Sequence, residues 1–162
     1  MENRTVIHRN SFWKNAVYAG LIGGAIFMMA EMLMVMMIGQ SPFGPPRMIA
    51  AMALGSEVLP PPATFDIGIM MTAMLIHFPL SIIYALILGM IIKNMAMPMA
   101  LLVGGLFGLA IYLVNFYGIA SFMFEWFAMA RNWVSLIAHV LFGVATAWPY
   151  VALANSIDAR RN

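Results

Sequence analysis

Residues 67–92 read IGIMMTAMLIHFPLSIIYALILGMII, a run of 26 residues that contains no Asp, Glu, Lys or Arg. A helix of this length rises about 1.5 Å per residue and can cross the roughly 30 Å hydrocarbon core of a bilayer. Three prolines at positions 60–62 precede the run, and Lys93 and Asn94 follow it. We predict a spanning helix here, because lipid offers the backbone groups of an open strand no hydrogen-bond partners.

The rest of the composition agrees with a membrane location. The chain has 162 residues, of which 64% are hydrophobic and 9% are charged, and its mean hydropathy is +0.92. Soluble domains carry about 25% charged residues, so we predict an integral membrane protein that lies within the lipid bilayer. The absence of cysteine excludes disulfides, thiolate metal sites and cysteine nucleophiles. The net charge of +2 is small and gives no basic patch for nucleic acid.

Three further apolar runs on either side of residues 67–92 are also long enough to be spanning helices. The predicted fold class is therefore all-α, with four transmembrane helices arranged as two hairpins in one transmembrane domain over residues 1–162. The four predicted spans are about 16–38, 67–92, 97–116 and 134–153.

The segment 39–66 between the first two spans is rich in proline and holds a short apolar stretch. The stretch is too short to span, and Pro45 and Pro46 are suited to begin a helix that Gly55 ends. We predict a short helix over about 46–55 that is either interfacial or re-entrant. The aromatic segment 116–133 is predicted to be the second long loop on the same side.

The basic residues indicate the orientation of the chain. Six of them fall on one side of the predicted spans and two, Arg47 and Arg131, fall on the other side. Cytoplasmic segments carry the excess of Lys and Arg, so we predict that both termini are cytoplasmic. The six are Arg4, Arg9, Lys14, Lys93, Arg160 and Arg161.

Two pairs of segments resemble each other within the chain. GLIGGAIFMMAEM from Gly20 aligns with GGLFGLAIYLVNF from Gly104, and HFPLSIIYA from His77 aligns with HVLFGVATA from His139. We expect two parallel repeats related by an axis along the membrane normal, and we expect their glycines to allow close helix packing. The matched pairs are Gly20 with Gly104, Gly24 with Gly108, Glu31 with Asn115, His77 with His139, Ser81 with Gly143, and Tyr84 with Thr146.

Each predicted helix carries one strongly polar side chain inside its apolar run. Glu31, His77 and His139 fall at similar depths in the outer half of the bilayer, and Asn115 lies farther out. Ser81 and Tyr84 share a helix face with His77, and Thr146 shares one with His139. Because polar groups that face lipid are penalised, we predict that this intramembrane polar layer faces the bundle interior.

The polar layer allows several interpretations. Its members can simply hydrogen-bond across helices, with a protonated Glu31 donating to a histidine. His77 and His139 could instead be axial ligands of haem b. Glu31, His77 and His139 could also hold zinc, iron or copper, with the many methionines as additional soft ligands for copper. Intramembrane Glu and His residues are also typical of proton or small-solute transport.

Three stretches are similar to a family of small four-helix bacterial inner-membrane proteins of unknown function. They are SPFGPPRMIAAMALGSEVLPPPATFD (41–66), LVNFYGIASF (113–122) and WFAMARNWVSLIAHVLFG (126–143). The resemblance implies a four-helix topology and the bacterial inner membrane, and it implies no site residue. Some members carry the label "sodium:proline symporter", which we do not adopt because transporters of that fold need roughly ten or more helices.

The chain contains no hydrolase constellation, phosphate-binding loop or dinucleotide fingerprint. We therefore expect no catalytic residues and a non-catalytic accessory or structural subunit of a larger bacterial membrane assembly, such as a redox complex. Its partners would be other membrane proteins or further copies of the chain. The alternative is a bundle that uses Glu31, His77 and His139 to bind metal or haem, or to transport a small solute or protons.

Overall fold

The computed structural model describes residues 2–159, and it describes side chains for residues 12–155. This part of the chain is helical and contains no strand, which confirms the all-α class. Four helical stretches are long and apolar enough to cross a membrane, so the chain has the features of a multi-pass membrane protein. The helices are α1 (Glu2–Met37), α2 (Gly44–Leu54), α3 (Ile67–Ile92), α4 (Met97–Leu113), α5 (Ala120–Met123) and α6 (Trp133–Ala159).

Helix α1 is longer than the span predicted within it. The helix begins at Glu2, whereas the predicted span begins at about residue 16. Its apolar part, Phe12–Met37, is the stretch suited to cross a membrane. Hydropathy marks only the part of a helix that lipid can cover, so a polar helical extension carries no hydropathy signal.

The third span also continues beyond its predicted end. A π-helical segment, Val114–Ile119, follows α4 and leads directly into α5, so the helical stretch ends at Met123 rather than near residue 116. The π-helical geometry changes the backbone hydrogen bonding, and the Phe116 carbonyl accepts from Arg131 Nε at 3.0 Å. The prediction of a loop from residue 116 is therefore wrong, because polar Asn115 and Gly118 are accommodated inside a helix.

The four spanning helices form an incomplete ring, in which α3 contacts α6 across the bundle more than it contacts α4. Extensive contacts join α1 to α3, α1 to α6, and α4 to α6, whereas α3 and α4 contact each other little. The short turn 93–96 joins α3 and α4 at one end of the bundle, which we call the turn end. We call the opposite end, which carries segments 38–66 and 124–132, the loop end. The α3–α4 seam is thus the loose side of the ring.

Glycines bring the helix backbones together within each hairpin. A Cβ atom on Gly24 would overlap the side chain of Ser81, and one on Gly108 would overlap the carbonyl oxygen of His139. Gly20 likewise lies against the backbone of α3, and Gly104 lies against Gly143. These are corresponding positions in the predicted repeat, so equivalent contacts recur in the two hairpins. The repeat itself stays a prediction.

Side chains attach the loop-end segments to one another. Arg47 of α2 donates to the carbonyl of Val58 at 2.8 Å and to the carbonyl of Thr64 at 2.9 and 3.2 Å. Trp126 Nε1 donates to the carbonyl of Met48 at 3.0 Å, which joins segment 124–132 to α2. Segments 38–66 and 124–132 are therefore joined by hydrogen bonds into one layer over the loop end, which we call the cover. Helix α2 lies in this cover, and the sequence predicts a helix there at about 46–55.

The predicted orientation depends partly on residues whose placement is not described. Arg160 and Arg161 lie outside the described residues, and the side chains of Arg4 and Arg9 lie outside the described side chains. Arg47 and Arg131 lie at the loop end, on segments that contact each other. The assignment of the termini to the cytoplasm stays a prediction.

Candidate functional site

A cavity of about 550 Å³ lies inside the bundle and extends to the cover at the loop end. Every spanning helix contributes to its wall, together with α2 and segment 124–132. This volume is within the range of roughly 300–1,000 Å³ that is typical of small-molecule sites. The predicted polar layer is part of the wall, since Glu31, His77, Asn115 and His139 all line the cavity.

Glu31 is buried, with 6% of its surface exposed, and it has one hydrogen-bond partner. Ser135 Oγ of α6 donates to Glu31 Oε1 at 2.7 Å. Glu31 Oε2 receives no hydrogen bond from the described residues. Among the described side chains, Thr146 Oγ1 is the one nitrogen or oxygen that is both fully buried and unpartnered, so Glu31 Oε2 is not fully buried, and Glu31 lines the cavity.

The two histidines each use one ring nitrogen on a backbone carbonyl. His77 Nε2 is 2.9 Å from the carbonyl oxygen of Gly24, and His139 Nδ1 is 2.7 Å from that of Ser135. A carbonyl oxygen only accepts, so each of these nitrogens carries the proton that it donates. In the neutral rings, His77 Nδ1 and His139 Nε2 therefore carry a lone pair, and neither atom is fully buried.

Phe27 separates the two histidines. Its ring stacks on His77 with centroids 5.3 Å apart and meets His139 edge-on at 4.8 Å. The three rings form one contiguous aromatic wall of the cavity. The predicted direct hydrogen bond between Glu31 and a histidine is absent from the described contacts, and Ser135 takes that place.

Asn115 joins the site through the loose seam of the ring. Tyr84 of α3 donates to Asn115 Oδ1 at 2.9 Å, across the gap between α3 and the π-helical segment. Ser81 Oγ donates to the carbonyl of His77 at 2.9 Å, within its own helix. The predicted supporting residues Ser81 and Tyr84 therefore lie at the site.

Thr146 is the one predicted supporting residue that lies elsewhere. It is buried between α1 and α6 beside Gly23, and it does not line the cavity. Helix periodicity correctly places it on the interior face of α6. Thr146 lies seven residues after His139, about two helical turns nearer the turn end, and this distance along α6 separates it from the polar layer.

The contacts of the two histidines leave the bis-histidine haem interpretation a prediction. The Phe27 ring contacts both imidazoles, and each imidazole donates to a backbone carbonyl from one nitrogen and keeps a lone pair on the other, as metal-ligating histidines also do. Within the described side chains, no group of three His, Cys, Asp or Glu is placed to hold a metal ion.

Ser135 belongs to the polar stripe that the i, i+4 spacing predicts on the interior face of the fourth span, one helical turn before His139. The sequence gives it no role of its own, and its hydrogen bond to Glu31 is found only in the structure. The phenyl rings give no such signal, because phenylalanine is frequent throughout the chain. Those that line the cavity are Phe27, Phe116, Phe124, Phe127 and Phe142.

Comparisons with protein-family models, with curated protein sequences and with solved structures give no match to this chain. The resemblance to small four-helix membrane proteins therefore rests on the quoted stretches alone.

Proposed function

We propose that this protein binds a small amphiphilic molecule in the cavity between its four spanning helices. The observation that carries the proposal is the combination of a drug-sized volume with one apolar, aromatic wall and a few converging polar groups. Binding sites for small molecules have this composition, in which apolar surface gives affinity and sparse polar groups orient the ligand. A polar layer that served packing alone would need no such space.

The binding proposal develops the alternative in which the polar layer takes part in the transport of a small solute. Binding alone and transport across the membrane both begin with occupancy of the cavity. The chain's own residues would supply a hydrogen-bonding wall through Glu31 and Asn115 and an apolar wall through the phenyl rings. No metal or haem is required.

Photolabelling tests whether the cavity is a binding site. A diazirine derivative of phenylpropanol is irradiated with the purified protein in nanodiscs, and the labelled residues are identified by peptide mass spectrometry. We expect saturable labelling of cavity residues such as Met48, Met129 and Phe127, which excess phenylpropanol competes away. Labelling that is unsaturable and confined to lipid-facing side chains would contradict the proposal.

A matched pair of variants on α2 provides the control. Ile49→Trp places a larger side chain at a residue that lines the cavity, so it should reduce cavity labelling strongly. Leu54→Trp makes the same kind of change on the same helix at a residue that is exposed and does not line the cavity. Leu54→Trp should label as the parent protein does. Equal labelling of the two variants would place the probe outside the cavity.

A second candidate is the accessory role in a larger membrane assembly of the bacterial inner membrane, with the termini cytoplasmic. The observation that favours it is that Arg47 and Trp126 join the loop-end segments to one another by hydrogen bonds. Segments held in one conformation offer a preorganised surface for protein docking. Purification from native membranes in mild detergent tests this candidate, and a stable monomer without partners would refute it.

A further inference from the structure

We infer that the ligand of the cavity is an organic amine in its protonated form, with Glu31 as its counter-ion. This inference rests on the proposed binding function and specifies its ligand class. The protonated nitrogen would lie at Glu31 Oε2, and the apolar body of the ligand would lie among the phenyl rings.

The first argument is the balance of hydrogen-bond donors and acceptors in the polar layer. Nearly every donor is already used on a protein acceptor, since both histidines donate to carbonyls, Ser135 donates to Glu31, and Tyr84 donates to Asn115. The unused capacity is mostly that of acceptors: Glu31 Oε2, His77 Nδ1 and His139 Nε2. The donors left are the amide NH₂ groups of Asn115 and, nearer the loop end, of Gln40. A ligand that satisfies this layer must therefore donate hydrogen bonds, as an ammonium group does.

The second argument is charge. A carboxyl group in a membrane interior is either protonated or paired with a cation, because an isolated charge there is expensive. An amine satisfies both forms, since a protonated carboxyl that meets it transfers its proton to the nitrogen and gives the same carboxylate–ammonium pair. Glu31 has no salt-bridge partner among the described residues, and no lysine or arginine is among the side chains described as lining the cavity. The nearest candidates by sequence, Arg47 and Arg131, donate to loop-end groups instead. A cationic ligand would supply the missing charge.

The third argument is the aromatic wall. Five phenylalanine rings line the cavity together with Tyr84. The negative face of an aromatic ring attracts ammonium groups, and this attraction strengthens when water is excluded. The same rings provide apolar surface for a hydrocarbon body. Anionic ligands would instead meet Glu31 and the ring faces, which both repel negative charge.

The polar layer gives no comparable support to carbonyl ligands such as quinones. These ligands accept hydrogen bonds, and they would have to bind where the N–H groups of both histidines already face backbone carbonyls. Asn115 could serve one such acceptor, and a protonated Glu31 could serve a second, but the lone pairs of both histidines would remain without a donor. The donor–acceptor balance therefore favours a donor ligand over an acceptor ligand.

Calorimetry with three matched probes tests the ligand class. Phenylpropylamine, phenylpropanol and phenylpropionate share one apolar body and differ in the charge of the head group. Binding to the protein in nanodiscs is measured against empty nanodiscs. We expect the amine to bind at least about tenfold more tightly than the alcohol, and the acid to bind weakest, because a charged hydrogen bond in the cavity outweighs a neutral one.

The variant Glu31→Gln and a control variant test whether Glu31 is the group that gives the preference for the amine. The amide is close in shape to the carboxyl but carries no charge, so we expect the amine to fall to the affinity of the alcohol. Glu57→Gln makes the same change at an exposed loop-end residue and should leave all three affinities unchanged. Retained preference for the amine in Glu31→Gln would overturn the assignment of Glu31.

The outcomes separate this inference from the function on which it rests. If no probe binds, the proposed binding function itself fails. If phenylpropanol or phenylpropionate binds as tightly as the amine to the unsubstituted protein, the cavity is a binding site but the inferred ligand class is wrong. This comparison needs no variant, so it holds even if Glu31→Gln does not fold.

Discussion

At the scale of single residues, Glu31 is explained by what surrounds it rather than by its neighbours in sequence. The stretch MMAEMLMVMMIG at residues 28–39 would otherwise be uniformly apolar. Its carboxyl accepts from Ser135, a residue 104 positions away, and keeps one oxygen open to the cavity. Neither the methionines nor the spacing within α1 contains this information.

Glycine residues of α4 differ sharply in what surrounds them. A Cβ on Gly108 would overlap the carbonyl oxygen of His139, whereas one on Gly105 would meet Val144 Cγ2 at 3.5 Å, an ordinary contact. The sequence alone predicts packing roles for Gly104 and Gly108. How closely the backbone of α6 approaches each glycine depends on the position of α6.

Gly108→Ala is predicted to lower the stability of the bundle by about 1–3 kcal/mol, because α6 must move away from α4. Gly105→Ala on the same helix is the control and should change stability little. Unfolding of both variants by dodecyl sulfate, followed by circular dichroism, gives the comparison. Equal stability of the two variants would show that α4 and α6 do not approach closely at Gly108.

At the scale of elements, the contacts within the two hairpins are equivalent, but the two seams between the hairpins are not equally well packed. A twofold relation between the hairpins would make the α1–α6 seam equivalent to the α3–α4 seam. The first seam is closed by close contacts such as Gly23 with Thr146, and the second has few contacts. Residues of α3, of α4 and of the π-helical segment after α4 line the cavity, so the cavity borders the loose seam.

The π-helical segment Val114–Ile119 belongs to this arrangement. It holds Asn115 on the cavity wall, within hydrogen-bond distance of Tyr84 across the loose seam. Such segments are frequent at functional sites, because they alter which side chains face inward. Asn115 and Gly118 are residues of the kind that predict the end of a span. In this chain they lie where the α-helix α4 continues as a π-helix.

Tyr84→Phe is predicted to weaken the α3–α4 seam by about 0.5–2 kcal/mol, the range for a hydrogen bond between membrane helices. The ring stays and only the hydroxyl is lost, so the fold should persist. Tyr18→Phe removes a hydroxyl from an exposed side chain on α1 and should have no effect. Thermal unfolding in detergent gives both stabilities, and an unchanged Tyr84→Phe would mean that its bond to Asn115 contributes little.

At the scale of the whole molecule, the segments of the loop end cover the cavity, and a buried apolar cluster that includes Leu88, Ile92 and Ala100 fills the bundle toward the turn end. The side of the membrane that each end faces follows from the distribution of basic residues, which predicts that the loop end lies outside the cytoplasm. A ligand that enters from the loop end would then come from outside the cytoplasm or from the outer leaflet.

The lack of cysteine makes this orientation directly testable. Glu57→Cys introduces a thiol into an exposed site at the loop end, and Asn94→Cys introduces one into the exposed turn. We predict that a membrane-impermeant maleimide labels Glu57→Cys in intact cells and labels Asn94→Cys only after the membrane is permeabilised. The reverse pattern would invert the orientation.

Much of the architecture is predictable from the sequence alone. Hydropathy locates the four crossings, and the predicted bounds of α3, 67–92, agree with Ile67–Ile92. These predictions succeed because the cost of exposing backbone and polar groups to lipid acts on each segment separately. The inward-facing polar layer follows from the same cost, and all four of its members line the cavity.

The open seam, the partner of Glu31 and the unused acceptors follow only from the tertiary structure. Each depends on groups that lie far apart in sequence, such as Ser135 with Glu31 and Tyr84 with Asn115. A single sequence records which residues are polar, but not which donors are already satisfied. The sequence alone therefore determines a four-helix membrane protein with polar groups inside, and the packing of its helices decides that these groups surround a cavity.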